Sequence, residues 1–482
     1  MILALIKDGI IYSISGLITR GLNLFLIPLY TLVLSPADYG SFDFLIVFAS
    51  IVNIIITLEV SQGVARFYST ESDLNKKILY ASTAFWFTLT CYAIFLFYFI
   101  FFTVKYSSLI MGRPGLELAF KIGVIHIFAN GLFYLIQNQL RWELRSRQYA
   151  ILSVTMALVT AGVSLWLTLI QQLGLVGLLV GMLSGSSFAT VLGLFWLRNS
   201  FKFCFSRILL KEMLTYSTPL VFSSIAVWVS LYIDRMMINH FLGIDDVGIY
   251  GIGHRIASIV GLVMIGVQGA LTPLIFSNYK NPNTPAQLEQ IFRIFLLFAM
   301  LMFLFLTLFA SDILVIMTTP SFYPASTVVI FLVPTILLSN MYIFAPGISI
   351  AKKTHLIVWI NIAGGLLNVG LNYILIPSLG IEGAGLATML SYLMTFSAYT
   401  AIGQRFYRIP HNWQKIFAAV ALAGILATFV PSLSQTDSIR WGLNLAVLIL
   451  FIPALFVIGL IRRDEISAAW QYVQLRLSSM RA

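Results

Sequence analysis

Arg20, Asp234, Arg235 and Arg255 are charges set inside long apolar runs. A charge in such a place costs several kcal/mol unless it faces water, a partner or a ligand. Arg20 lies about 12 residues, some 18 Å of helix, into a run that opens near residue 8. Polar groups recur at helical spacing around these charges. Ser13, Gly16, Arg20, Asn23 and Tyr30 share one stripe, Ser50, Asn53 and Thr57 a second, and His126, Asn130, Gln137 and Arg141 a third. Ser223 and Ser230 fall on the Asp234 face, His254 precedes Arg255, and Asn361, Gly365, Asn368 and Asn372 stripe a later run. The chemistry these types can do is binding rather than bond-making. Stripes on many helices of both halves predict a wet central cavity, which a single buried ion pair would not require.

Each residue also has a structural reading. Arg20 can be held by Glu59 or Asp43 as a packing salt bridge. Asp234 and Arg235 point about 100° apart on a helix and need not pair with each other. Glu59 stands near the end of its run with Gln62 and Arg66 on the same face, which makes Asp43, Glu59 and Arg66 candidates for gating or ion coupling. His126 and His254 can be core histidines, the Asn stripe can bond helix to helix, and Lys121 can snorkel. Asp245–Asp246 precedes an apolar run, as Asp38 does, and both Asp38 and Asp246 suit helix starts, where a carboxylate satisfies free N–H groups. No metal-spaced His/Cys cluster, nucleotide loop or Ser/His/Asp arrangement is present in the sequence, so no catalytic residue, metal or cofactor is expected.

The elements that position these groups follow from composition. With 59% hydrophobic and 10% charged residues among 482, and a mean hydropathy of +0.94, the chain cannot be a soluble globule. Fourteen apolar runs of bilayer-spanning length lie between residues 8 and 461, with Pro273, Pro334 and Pro346 as places for kinks. The first run is too long for a signal segment and lacks a small-residue cleavage site, so it is expected to be retained. Assigning loops alternately puts 21 Lys and Arg on one face and only Lys105, Arg113 and Arg440 on the other. That bias predicts both termini in the cytoplasm. The basic residues scatter through short loops, so the net charge of +11 is a topology signal and argues against nucleic acid. No loop exceeds about 20 residues, which leaves no room for a soluble catalytic domain. Cys91 and Cys204 imply no disulfide framework.

The chain is also internally duplicated. Residues 38–52, DYGSFDFLIVFASIV, return 208 positions later as DVGIYGIGHRIASIV, with six of fifteen residues identical and Phe42 answered by Tyr250. Gly174 and Gly177 return 206 positions on as Gly380 and Gly383, each pair preceded by a basic loop, Arg145–Arg147 and Lys352–Lys353. A duplicated membrane bundle is how many carriers build two faces around one path.

These residues carry a resemblance. Arg20-Gly21, Pro28-Leu29-Tyr30 and Leu34-Ser35-Pro36-Ala37-Asp38-Tyr39-Gly40, with Tyr232-Ile233-Asp234-Arg235 and Val247-Gly248-Ile249-Tyr250, resemble bacterial O-antigen and polysaccharide repeat-unit flippases. These belong to the multidrug/oligosaccharidyl-lipid/polysaccharide exporter superfamily. The resemblance implies an all-α integral membrane protein of about fourteen transmembrane helices. Two six-helix lobes, residues 1–200 and 201–410, would flank a central cavity, with two further helices in 411–482. It implies a bacterial inner-membrane flippase carrying an undecaprenyl-diphosphate-linked oligosaccharide to the periplasmic leaflet for O-antigen and lipopolysaccharide assembly. Its partners would be membrane lipid and the polysaccharide polymerase and chain-length machinery. Arg20 and Arg255 match the cationic cavity residues of related lipid-linked precursor flippases. Arg20, Asn23, Asn53, Asn130, Asp234, Arg235, His254, Arg255 and Asn368 are then the candidate substrate contacts. Asn, Ser, Gln and Tyr groups can hydrogen-bond sugars, and guanidinium can grip phosphate in a two-pronged contact. A multidrug or metabolite cation antiporter of the same superfamily should show an acidic cavity, whereas the set here leans basic. A polymerase or glycosyltransferase is opposed by the missing large loop.

Overall fold

The computed structural model describes residues 2–433 and 437–460. The side chains of Lys7, Ser13 and Asn23, and the C-terminal Arg462, Arg463, Arg476 and Arg481, lie outside the described residues. The described chain is helical throughout, and the long helices are α1 (Ile2–Phe25), α2 (Pro36–Ile55), α3 (Val60–Thr70), α4 (Leu74–Phe101), α5 (Glu117–Trp142), α6 (Ser146–Leu165), α7 (Gly174–Trp196) and α8 (Arg207–Phe241). They continue as α9 (Ile244–Ala257), α10 (Ile259–Asn278), α11 (Thr284–Leu308), α12 (Ser326–Asn340), α13 (Thr354–Phe406), α14 (Trp413–Phe429) and α15 (Asp437–Ile458). Large apolar side chains such as Phe101, Val104 and Val457 stand more than four-fifths exposed, which suits a surface solvated by lipid rather than water. The protein is a multi-pass membrane protein.

Among the described residues, twelve helices are long and apolar enough to cross a membrane, against about fourteen runs read from the sequence. One reason for the difference is α13, whose 53 residues would extend about 80 Å as a single helix. It leaves helical geometry at Gly380 (φ 61°, ψ −141°). Gly174, its counterpart in the repeat, has φ 51°. Glycine enters this left-handed region without the Cβ penalty, so the same residue breaks the chain at the same place in both halves. Three residues on, Gly177 and Gly383 let the next helix pack closely. A Cβ there would stand 3.0 Å from the Leu167 carbonyl carbon and 2.2 Å from the Leu375 carbonyl oxygen. The other reason is α1, which is not among the twelve.

Local signals account for several helix starts. Ser35 and Asp38 form a reciprocal capping box at the start of α2, with Pro36 at its first turn. Asp73, Ser206 and Asn412 cap α4, α8 and α14. Asp38 therefore serves as the expected helix-start carboxylate, and Arg113 pairs with it; Asp245 and Asp246 lie in the first turn of α9. Pro334 lies inside α12, Pro219 inside α8, and the chain turns irregular around Pro346.

Contacts divide the chain into two compact units. The first comprises Met1–Ile256, Leu314–Val328 and Val358–Thr395. One of its cores gathers Val60, Val64, Tyr68, Tyr80, Ala84, Leu209 and Met213, where α3, α4 and α8 meet. A second gathers Phe133, Ile136, Leu140, Leu152, Ala189 and Leu197 from α5, α6 and α7. The other unit comprises Ala257–Ile313, Val329–Ile357 and Phe396–Ala482. There Phe292 and Phe295 of α11 pack on Phe344, and Arg293 donates to the Leu460 carbonyl at 3.0 Å.

Candidate functional site

The starts of α2 and α9 meet through their repeat-related glycines. A Cβ on Gly40 would fall 2.0 Å from the Ile244 carbonyl oxygen, and one on Gly248 would fall 2.0 Å from the Pro36 oxygen. Residues 36 and 244, like 40 and 248, are 208 apart. The contact is thus a pseudo-twofold crossing of the duplicated segment on itself. Only glycine permits backbones this close, so the repeated Asp-x-Gly is a packing motif.

One turn deeper, the crossing encloses four charges. Asp43 of α2 accepts from Arg235 Nε through Oδ2 at 2.8 Å and lies 3.4 Å from Arg255 Nη2 through Oδ1. Arg235 also reaches Asp234 Oδ1 at 3.2 Å and the Leu231 carbonyl at 3.2 Å. Asp234 Oδ2 accepts from the Tyr250 hydroxyl at 2.6 Å. Arg235 lies over the Tyr232 and Tyr250 rings, and Arg255 over Tyr39 and Phe42 at 5.1 and 5.5 Å. Two carboxylates and two guanidiniums sum to zero, which is how an apolar setting tolerates them. Asp43 and Arg235 keep 10% and 6% of their side chains exposed, but Arg255 keeps 28%. Arg255 is the charge of the four with an open side.

The repeat also shows where the carboxylate finds room. Gly251 occupies the position 208 after Asp43, and a Cβ there would touch Asp43 Oδ2 at 3.1 Å. Tyr250 occupies the position of Phe42, and its added hydroxyl is what binds Asp234. Neither the hub role of Asp43 nor the Tyr250 contact was read from the sequence. The positions where the two copies differ by one polar group were the available signal.

The other predicted residues are dispersed. Arg20 is exposed in α1 and, among the described residues, pairs with neither Asp43 nor Glu59. Asn53 accepts from the Tyr92 hydroxyl, and Asn130 is half-buried on α5. His254 is half-buried within electrostatic reach of Asp43, Arg235 and Arg255. Asn368 is buried and donates to Thr388 at 3.2 Å while accepting from Asn372 at 3.1 Å, which joins the two segments of α13 across Gly380. His126 lies 3.2 Å from Ser186 in the core. Glu59 sits with Leu58 at a left-handed break between α2 and α3 (φ 54° and 49°) and accepts from Ser224 at 3.3 Å. Arg66, two turns along α3, is exposed, and no Glu59–Arg66 pair forms among the described residues. Cys91 and Cys204 are free thiols.

Comparison with known proteins agrees with this architecture. The chain is similar in fold to a structure titled lipid II flippase MurJ, inward closed conformation, with a TM-score of 0.73, 17% identity, and 94% of this chain and 100% of that chain covered. It is similar to an inward-facing multidrug resistance MATE family transporter of the MOP superfamily, with a TM-score of 0.68, 14% identity and coverage of 80% and 94%. A curated relative, the probable low-salt glycan biosynthesis flippase Agl15 of Haloferax volcanii, is 26% identical over 228 residues. That match spans 45% of this chain and 48% of the relative, so the chain covers about half the length of that relative. Residues 219–374 match the MatE family model. Residues 5–279, more than half of the chain, match the model for polysaccharide biosynthesis proteins, and the chain belongs to that family.

Proposed function

We propose that the protein is a flippase for a lipid-linked glycan precursor, moving an undecaprenyl-diphosphate-linked oligosaccharide from the cytoplasmic to the periplasmic leaflet of a bacterial inner membrane. The observation that carries this reading is the polysaccharide biosynthesis family match over residues 5–279, supported by the glycan flippase relative. The physics is consistent with it. Sugars and a diphosphate cannot cross hydrocarbon unaided, because unpaired polar groups and charges are costly there. A duplicated bundle offers alternating access to one site. We assign diphosphate contact to Arg20, which is exposed, and to Arg255, whose side chain is partly open. Asn23, Asn53, Asn130, Asp234, Arg235, His254 and Asn368 are the further proposed contacts, of which Asp234, Arg235 and Asn368 are buried and would meet cargo only once the bundle opens. Asp43, Glu59 and Arg66 are the proposed gating or coupling set, with Asp43 holding both arginines of the crossing. An inside-negative potential favours outward movement of the diphosphate by about 2.3 kcal/mol per charge per 100 mV. O-antigen and lipopolysaccharide assembly, with a polymerase and chain-length machinery downstream, is the setting we propose.

Deletion of the gene is expected to leave lipid-linked repeat units on the cytoplasmic leaflet and to remove surface polysaccharide, both read by leaflet-specific labelling. The MatE match over residues 219–374 favours a second reading, a multidrug or metabolite cation antiporter. Unchanged surface polysaccharide with reduced dye efflux would establish that reading instead.

A further inference from the structure

The first half of α8 has one narrow buried face. Leu209, Met213, Ser217 and Val221, four apart, are buried, and they pin the helix against its own unit. Arg207, Lys211, Thr215 and Phe222 are exposed on the remainder of its surface. Along it runs a shallow, open groove of about 630 Å³ lined by α8 itself, with Arg207, Lys211 and Thr218 interleaved with Leu210, Leu214 and Phe222. A second groove of about 610 Å³ flanks Lys211 on the Phe67 side.

The lining changes character along its length. Arg207 and Lys211 stand at the end that the charge bias assigns to the cytoplasm. Neither forms an ion pair among the described residues, and the adjacent carboxylate, Glu212, is occupied by the Tyr80 hydroxyl at 2.7 Å. The Thr215 hydroxyl donates to the Lys211 carbonyl at 2.7 Å and keeps its lone pairs, whereas Thr218 has no partner among the described residues. Beyond Lys211 the lining carries no charge, with Leu214, Pro219 and Phe222 alternating with the two threonines, and Arg207 to Phe222 spans about 22 Å of helix, the depth of one leaflet with its headgroups. Two cations at one end and an uncharged, largely apolar lining beyond them complement an amphiphile with a phosphate head and a hydrocarbon chain.

We propose that this groove is an entry site for a polyprenyl diphosphate, with the phosphates on Arg207 and Lys211 and the isoprenoid chain along Leu214, Pro219 and Phe222. The inference rests on the diphosphate-lipid reading of the cargo, and places its first capture on α8, apart from Arg20 and Arg255. The test uses the full-length protein in nanodiscs with a diazirine-bearing geranylgeranyl diphosphate, followed by peptide mapping of the adduct. Labelling within residues 207–222 is expected, falling about tenfold in Arg207→Gln/Lys211→Gln and also in Leu214→Trp, which fills the slot. Excess unlabelled geranylgeranyl diphosphate should compete, and inorganic pyrophosphate or geranylgeraniol alone should compete poorly. Equal competition by pyrophosphate would make the groove a free-anion site and overturn the proposal. Labelling elsewhere in the protein, with none on α8, would overturn this site and leave the cargo reading standing. No specific labelling anywhere would overturn both.

Discussion

Asp43→Asn is the most direct test of the buried charge cluster. The substitution keeps the shape of the side chain and one acceptor oxygen but removes the negative charge that two guanidiniums share. Removing one partner of a buried ion pair costs about 3–5 kcal/mol. Two features reduce that here: Arg235 retains Asp234 and the Leu231 carbonyl, and Arg255, 28% exposed and 3.4 Å from Asp43, is partly solvated. A loss of about 2–3 kcal/mol follows, roughly a 30- to 150-fold shift away from the closed crossing. Arg255→Gln alone should cost about 1 kcal/mol, since Asp43 still holds Arg235. The double mutant should then fall short of the summed single costs by about 1–2 kcal/mol. Reversible detergent unfolding of the four proteins measures each value. Costs that add to within about 0.5 kcal/mol would mean that Asp43 and Arg255 do not interact, and a near-neutral Asp43→Asn would refute the cluster as a structural element.

Gly248→Ala places a methyl group 2.0 Å from a carbonyl oxygen that backbone cannot easily move. It should therefore force α2 and α9 apart and raise maleimide labelling of a Ser41→Cys reporter, which is fully buried at present; unchanged labelling would count against the crossing. His411 packs between Phe292 and Trp413, and burial pushes its pKa down to about 4. The unfolded chain therefore binds the proton more readily between pH 6.5 and 4, and stability should fall as pH drops through that window. Allowing for partial exposure, the effect is on the order of 1–2 kcal/mol, and His411→Phe should abolish it in pH-dependent melts. Arg20→Ala should stop export while membrane abundance holds, and Arg20→Lys should keep partial activity. Adding Glu59→Gln or Asp43→Asn should not rescue export, because those carboxylates are engaged elsewhere; rescue would sink the phosphate role. Reporter fusions after residues 75, 205 and 470 should read as cytoplasmic and those near 36, 110 and 435 as periplasmic, and a periplasmic C terminus would contradict the topology.

Several features were legible in the sequence because they depend on local chemistry. Apolar run length is set by the bilayer, so membrane class and most spans follow from composition. Ser35-Pro36-Ala37-Asp38 carries its own capping box, and Gly174 and Gly380 mark breaks because few residues enter the left-handed region without penalty. Even the crossing was present as a repeat, since Gly40 and Gly248 recur at a fixed offset. The break at Leu58 and Glu59 carried no such mark, for neither residue is a turn former, and the break forms only where Ser217 of α8 donates to the Leu58 carbonyl at 2.7 Å. The charge pairing was equally hidden. Periodicity shows which helix face a charged residue occupies, but not which helix will stand opposite it. Asp43 meets Arg235 and Arg255 across 192 and 212 residues; among the described residues Arg20 pairs with neither acid the sequence offered, and the Asn368 face joins its own helix pair. A buried charge must be neutralised somewhere, and the sequence states that requirement at each position. Which partner meets it depends on the few ångströms between packed helices, and those distances exist only in the tertiary structure.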